Sequence, residues 1–414
     1  MEKGRVFFAA FLVFVLICFS FLSAGELEPG GPPSGTMKTL DEVEPRVAIS
    51  TTPCVISEPG SYYLTDDMSP MVGGGIKIDC NNVTVDMMGY KMTLGIHMIG
   101  VEYTGFLIEG ASNIEIRNGT IKGFNGSGIF ADSNSSEIRL IGLRVLSNDK
   151  HGIYLSGDNN LIRDCLVKDN GQSSEINVNG IKSGAGTTVT DNTVVGNGNS
   201  ATCSYVYGMV LDKSCLVTGN NVLHNGDSSN SYVQGIYAER GSTIKGNTVN
   251  YNGCECNSNT YVYGVKTFTD CSVIDNTVSH NGESADVVRI YGIYVAGNGT
   301  ISGNTVCRNG YSADAIIEGI YAGSGCVVSD NSSSFNGYYA TSIRVYGYFI
   351  SGGCVVKGNT AYTNGYNCGG DVYGIYLMEG CFVNDNLASK NNTTNGGINM
   401  NNPGNCTFGT NHAP

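Results

Sequence analysis

Asp212 and Glu239 stand at equivalent places in two consecutive repeats of the chain, and Lys182 and Lys266 occupy the repeats on either side, two residues nearer the start of the unit. Carboxylates one strand spacing apart raise each other's pKa or share a divalent cation such as Ca2+, so the pair is also the candidate metal site. A lysine held beside them suits abstraction of a proton next to a uronate carboxylate. The plain alternative is a surface salt network.

Asp149-Lys150-His151, just before Gly152, forms a second candidate group, with Asp132, Arg163 and Asp164 expected nearby. It falls where short repeats give way to long ones, so a step in the wall would make a pocket; His151 equally fits a turn cap. A row of rings completes the set. Tyr154, Tyr237, Tyr294, Tyr321 and Tyr376 recur two residues after a repeat glycine, interleaved with Lys182, Val210, Lys266 and Phe349. A second column, Tyr207, Tyr263, Tyr291, Tyr346 and Tyr373, immediately precedes the glycine and is also expected at the surface. Exposed rings in rows meet the apolar faces of sugars, which makes the first row the candidate substrate-binding residues; they also stabilise a sheet by cross-strand contact.

These residues can act together only if the repeats stack. Gly-Ile-Tyr-like tripeptides begin at Gly105, Gly128, Gly152, Gly180, Gly208, Gly235, Gly264, Gly292, Gly319, Gly347, Gly374 and Gly397, at intervals of 23 to 29 residues. Within each unit an asparagine recurs (Asn192, Asn220, Asn247, Asn276, Asn304, Asn331, Asn359, Asn386), and five residues later another. Between them lie apolar alternations of three to five residues, the mark of short strands separated by tight turns. Asparagine tolerates the left-handed turn conformation, and its amide can bond the same amide one repeat away. No helical period runs for two turns after residue 25, which excludes helical solenoids, and a unit of this length is too short for a propeller blade. The expected fold is all-β: a single-stranded parallel β-helix of about 12 or more coils of three short strands.

The repeats resemble those of right-handed parallel β-helix proteins with the pectin-lyase-like fold. The segments Thr39 to Arg46, Pro59 to Leu64 and Val83 to Tyr90 look like the opening of secreted bacterial members of mostly unassigned role. The resemblance implies that the Gly-Ile-Tyr strand is the first of each coil, that the fixed asparagine marks the sharp second turn, and that the third turn, longer from Gly152 to Gly374, flanks the first sheet. Related polysaccharide lyases are similar in placing acidic calcium ligands and a basic proton acceptor along that sheet. The Gly-His-Gly and Arg-Ile-Lys signatures of polygalacturonases and the Asp-Pro-His-Asp signature of mannuronan epimerases are missing, which argues against those activities.

Composition fits this organisation. Glycine is 58 of 414 residues, tryptophan is absent, and the net charge is −13. Such acidity excludes a nucleic-acid binder, which needs a basic face. Lys3 and Arg5 precede an apolar run from Val6 to Leu22 and small residues at Ser23, Ala24 and Gly25, the pattern of a cleaved signal peptide. Cleavage leaves 21 basic and 35 acidic residues, net −14, and no further run long enough to insert in a membrane. The expected organisation is a signal peptide (1–25), a flexible tail (26–46), capping coils (47–104) and β-helix repeats (105–414). An extracellular or periplasmic location follows. Fourteen cysteines remain; Cys215, Cys271, Cys326, Cys354, Cys381 and Cys406 share one register and are read as a column of buried thiols, whereas Cys203, Cys254, Cys256 and Cys368 fall in the third turns, where exposure favours disulfides. The functional expectation is a secreted protein that binds an extended polysaccharide along its first sheet, with lyase-like chemistry; the alternative is a structural or adhesive exoprotein. Oligomeric state and ligand identity are left open by the sequence.

Overall fold

Each glycine that opens a repeat is required by contact. A Cβ on Gly235 would lie 2.6 Å from the Gly264 carbonyl oxygen of the next coil and 2.6 Å from Val249 Cγ1 of its own. Only a residue without a side chain lets the strand approach its neighbours this closely.

The computed structural model describes residues 45–69, 73–95, 100–172, 174–256, 260–341, 343–392, 396–401 and 405–413. The chain divides into Met1–Arg46 and Val47–Pro414; the expected signal peptide and all but the last two residues of the expected tail lie outside the described residues. From Val47 onward the described chain is strand, turn and bend, without a helix. A representative coil runs through Tyr232–Ala238, Thr243–Lys245 and Thr248–Asn250 before the next begins at Tyr261. All strand pairs are parallel and join equivalent positions of successive coils, as in Met209, Ile236, Val265 and Ile293. First strands form one sheet of 14, and the second and third strands form a continuous sheet folded at the corner between them. This is the parallel β-helix that the periodicity predicts.

Two asparagine ladders pin the corners. Asn276 is typical: its Oδ1 accepts from the backbone N of Asn247 at 2.9 Å and from its Nδ2 at 3.0 Å. Its own N and Nδ2 donate to Asn304 Oδ1 at 2.9 and 3.0 Å, and Nδ2 also reaches the Ile244 and Ile274 carbonyls. The first ladder runs unbroken from Asn192 to Asn411. The second runs from Asn148 through Asn391 to Asn399. Both are buried along most of their length, so each amide satisfies backbone groups that water cannot reach.

Inside, the files are buried and mostly apolar, with Ser183, Thr267 and Ser333 among their polar members. Tyr348 is the large polar exception, in a file that from Ile129 onward is otherwise filled by Ile, Met and Val; it fits because Ser333 and Ala361 are small opposite it, and its hydroxyl donates to the Asn331 and Thr360 carbonyls. The shared-register cysteines are buried from Cys215 to Cys381 and unbridged, Cys406 being half-buried. Cys215, Cys354 and Cys381 each donate to a carbonyl one coil back, so they act as small packing groups.

The third turns correct an expectation. Cys203, Cys256 and Cys368 were expected at the surface and are buried, and Cys254 is half-buried. The turn after each Asn-Gly folds its small residues under itself, where Ala201, Cys203, Cys256, Ala285, Ala313 and Ala340 pack on Val206, Val233, Val262, Ile290, Ile317 and Val345. The long third turns are thus a flank with a core of their own, which explains their cysteines without disulfides.

Replacing a central ladder residue, Asn276→Ala, orphans buried donors on Asn247 and is expected to lower the unfolding free energy by about 2–4 kcal/mol. Denaturant unfolding checks this, with Asn411→Ala at the terminal rung expected to cost less.

Candidate functional site

The outer face of the 14-strand sheet carries the candidate residues. Register places Phe130, Tyr154, Lys182, Val210, Tyr237, Lys266, Tyr294, Tyr321, Phe349 and Tyr376 in one unbroken file. From Tyr294 onward the rings stack on one another, Tyr294 on Tyr321 at 4.6 Å and 6° and Tyr321 on Phe349 at 5.5 Å. Their faces are therefore used within the file. The stack is interrupted at Lys182, Val210 and Lys266. Lys182 Nζ sits 4.6 Å from the centre of the Tyr154 ring and donates to its hydroxyl at 3.0 Å. Lys266 Nζ lies over the Tyr263 ring at 4.6 Å and the Tyr237 ring at 5.6 Å.

The second column is deeper than the sequence suggested. Tyr263, Tyr291 and Tyr346 are 5–8% exposed, not surface rings, because the flank and the first file close over them. Tyr207 and Tyr373 remain partly exposed.

A cleft of about 430 Å³ opens where the ring stack is interrupted, lined by His151, Tyr154, Ile176, Asn177, Asn179, Lys182, Tyr207 and Val210. His151 heads the second column here, followed by Asn179 and Tyr207, while Ile176 and Asn177 belong to the first long third turn. The Asn179 backbone N donates to His151 Nδ1 at 3.2 Å, which leaves the ring proton on Nε2. Burial, with Lys150 and Lys182 nearby, lowers the His151 pKa to about 4, so the ring is neutral at physiological pH.

Asp212 and Glu239 sit four residues after their glycines in adjacent coils, beyond Val210 and Tyr237. Burial raises the Asp212 carboxyl above its ordinary range, with Lys182 opposing and Glu239 adding to the rise. Glu239 Oε1 accepts from the Tyr237 hydroxyl at 2.6 Å. Burial lowers the Lys266 pKa, opposed by Glu239. The geometry therefore joins two groups that the sequence treats separately: Lys182 borders both His151 and Asp212. Among the described residues no three His, Cys, Asp or Glu side chains converge on a metal-sized point. Ca2+ takes six to eight oxygens; Asp212 and Glu239 offer two carboxylates, and Glu239 already accepts from Tyr237.

The remaining members of the His151 group disperse. Lys150 pairs with Glu102. Asp149 lines a separate depression of about 420 Å³ with Ser147, Asn148, Asp169 and Gln172. Asp132 accepts from Ser135 in its own turn and from the Gly110 backbone N of the preceding coil, and Arg163 pairs with Asp164 at 3.2 Å at the end of the second strand of its coil.

Glu318 is a residue the sequence reading missed. It replaces a tyrosine in the second column, between Tyr291 and Tyr346, and is 1% exposed. Arg289 Nη1 donates to its Oε1 at 3.2 Å, while Oε2 is buried without a partner. Burial lifts the carboxyl to about 7 against the pull of Arg289. An acidic residue between two column tyrosines, Tyr291 and Tyr346, was the available signal.

Residues 69–209 match the family model described as right handed beta helix region. From Val47 onward the described residues fold as a right-handed parallel β-helix. Among solved structures, it is similar to the A-module of a mannuronan C-5 epimerase from Azotobacter vinelandii, at 14% identity over 85% of this chain and 91% of that one (TM-score 0.46). It is also similar to the Dettilon tailspike protein, at 15% identity over 88% of this chain and 60% of that one (TM-score 0.35). A third is DFA-IIIase from Arthrobacter chlorophenolicus A6, at 14% identity over 73% of this chain and 83% of that one (TM-score 0.41). No curated protein matches the chain. The β-helix assignment rests on the coil geometry and the family match, and the site on its own residues.

A folded pKa near 7 against an ordinary 4.5 means that the folded β-helix holds the Glu318 proton more tightly than the unfolded chain. The associated stability is complete below pH 4.5 and is lost as pH rises through 7. Glu318→Gln is therefore expected to raise Tm at pH 8 and to leave it unchanged near pH 4, as thermal unfolding across that range would show.

Proposed function

We propose that this β-helix is an exported protein that binds an extended polysaccharide along its first sheet, with the cleft between Tyr154 and Tyr237 as the seat of binding. The observation that carries the reading is the interruption of the ring stack. Where Tyr294, Tyr321, Phe349 and Tyr376 stack, ring faces are engaged by one another. Where Lys182 and Val210 replace rings, a wet trough opens with a neutral imidazole, an asparagine amide, tyrosine hydroxyls and an ammonium around it, a set of donors and acceptors suited to sugar hydroxyls and to an acidic sugar's carboxylate. The coil rise of about 4.8 Å brings successive positions of the file close to the length of one pyranose unit.

Lyase-type chemistry is the finer part of the proposal. Lys266, whose burial favours the neutral amine, is the better proton acceptor of the two lysines, and Asp212 and Glu239 flank the path between it and the cleft. The missing Asp-Pro-His-Asp signature keeps the reading apart from mannuronan epimerisation. The scaffold alternative is favoured by one observation, the self-stacked rings from Tyr294 to Tyr376, which serve the sheet whether or not a ligand binds.

Retention of the purified protein on pectins, alginates and neutral glycans tests the reading. Tyr154→Ala and Lys182→Ala are expected to weaken retention roughly tenfold each, a loss of about 1.4 kcal/mol, whereas Tyr321→Ala is expected to lower stability by about 0.5–1.5 kcal/mol without changing retention. Absence of retention on every glycan would remove the reading. Ultraviolet detection of unsaturated product, abolished by Lys266→Ala, would establish the lyase step.

A further inference from the structure

At the corner that closes the third strand, the residue before each second-ladder asparagine takes the left-handed conformation; five successive coils place a large planar group there, His224 (φ 51°), Tyr251 (57°), His280 (55°), Arg308 (55°) and Phe335 (56°), and the next two place Thr363 (54°) and Lys390 (55°). The corner between the second and third strands bends the same way but uses residues that tolerate it: Asp191, Gly219, Gly246, Asp275, Gly303 and Asp330. A bulky side chain is disfavoured there because its Cβ crowds the backbone oxygen. Earlier coils place Ser147, Asp169 and Gly196 at the third-strand corner. The bend itself therefore does not call for large groups, and five successive coils keep them against the backbone's preference.

These side chains form a ridge of planar groups. His224 stacks on Tyr251 at 5.0 Å, Tyr251 on His280 at 4.5 Å, and the Arg308 guanidinium lies over Phe335 at 5.7 Å. Beside it, Tyr338 stacks on Tyr311 at 5.4 Å and on Tyr366 at 4.8 Å, and Tyr339, 51% exposed, stands edge-on to Tyr311 and Tyr338. The ridge lies where the third turn begins, whereas the cleft lies where the first long third turn ends on the first sheet.

We propose that this ridge is a second polysaccharide-binding track, so that one molecule holds two glycan chains at once. For its ligand class the inference rests on the polysaccharide reading above. Period selects a glycan over a protein surface. Planar groups recur in five successive coils, so a ligand that engages them all must itself repeat at close to the coil rise of about 4.8 Å, as an extended sugar chain does and a folded protein surface does not. Ring edges, tyrosine hydroxyls, imidazoles and Arg308 present donors at that spacing to sugar hydroxyls.

The test uses the whole protein with beads coated in polygalacturonate or alginate. Wild type is expected to bind and clump beads. A Phe335→Ala/Tyr339→Ala/Tyr366→Ala variant with unchanged unfolding behaviour, and separately a Tyr154→Ala/Lys182→Ala variant, should each still bind beads but not clump them. Clumping by the ridge variant at the wild-type level would overturn the second track while leaving the cleft intact, as would complete loss of binding in the cleft variant. Wild type that binds neither glycan would sink both readings together. Phe335→Asn supplies an independent measurement: a raised Tm with clumping lost is expected if the ring serves binding, and a lowered Tm would show that it serves folding, contrary to the proposal.

Discussion

The asparagine ladders are the constraint on which the rest of the structure depends. A three-stranded coil must turn sharply twice with little chain to spare, and each turn leaves buried backbone groups unpaired by the sheets. One amide per corner, bonded to its equivalents above and below, satisfies those groups and fixes the rise and the lateral register together. Because the ladder bonds down to Asn391 and Asn411 join equivalent positions, register errors are penalised at both corners wherever the two ladders run side by side. The outward files are aligned as a consequence, and a cleft can be made merely by changing side chains within a file.

The first sheet shows how. Its pairing register is kept from Tyr154 to Tyr376, yet its surface changes from a stack of rings to a trough where Lys182 and Val210 stand in the place of rings. The trough gains its second wall from the first long third turn, which brings Ile176 and Asn177 beside Tyr207. Regularity supplies position, and departures from regularity supply chemistry. Lys182 and Glu318 are departures in this sense, Lys182 following Tyr154 in its file and Glu318 standing between Tyr291 and Tyr346.

The coil, its three strands, both corner asparagines and the file from Tyr154 to Tyr376 were legible in the sequence because each depends on a repeat of one residue type at one spacing. The depth of Tyr263, Tyr291 and Tyr346 was not, since alternation says which way a side chain points and not what the third turn lays over it. The buried Cys203, Cys256 and Cys368 were misjudged for a related reason: a turn long enough to fold back on itself can bury small residues, and length alone does not show that it does. The union of His151 with Lys182 was hidden by reading each candidate within its own coil. Glu318 was passed over because a single acidic residue in a strand gives no sign of burial until the coils on both sides are in place.

The glycine file has an evolutionary side. Each coil meets its neighbours through the same glycine contact and the same amide bonds, so a duplicated or deleted coil would find compatible surfaces on both sides. Gene length can then drift in whole rungs while the junction chemistry stays constant. A protein built this way can adjust its reach by copying, and can specialise a copied rung afterwards by exchanging the one or two outward residues that give it a task.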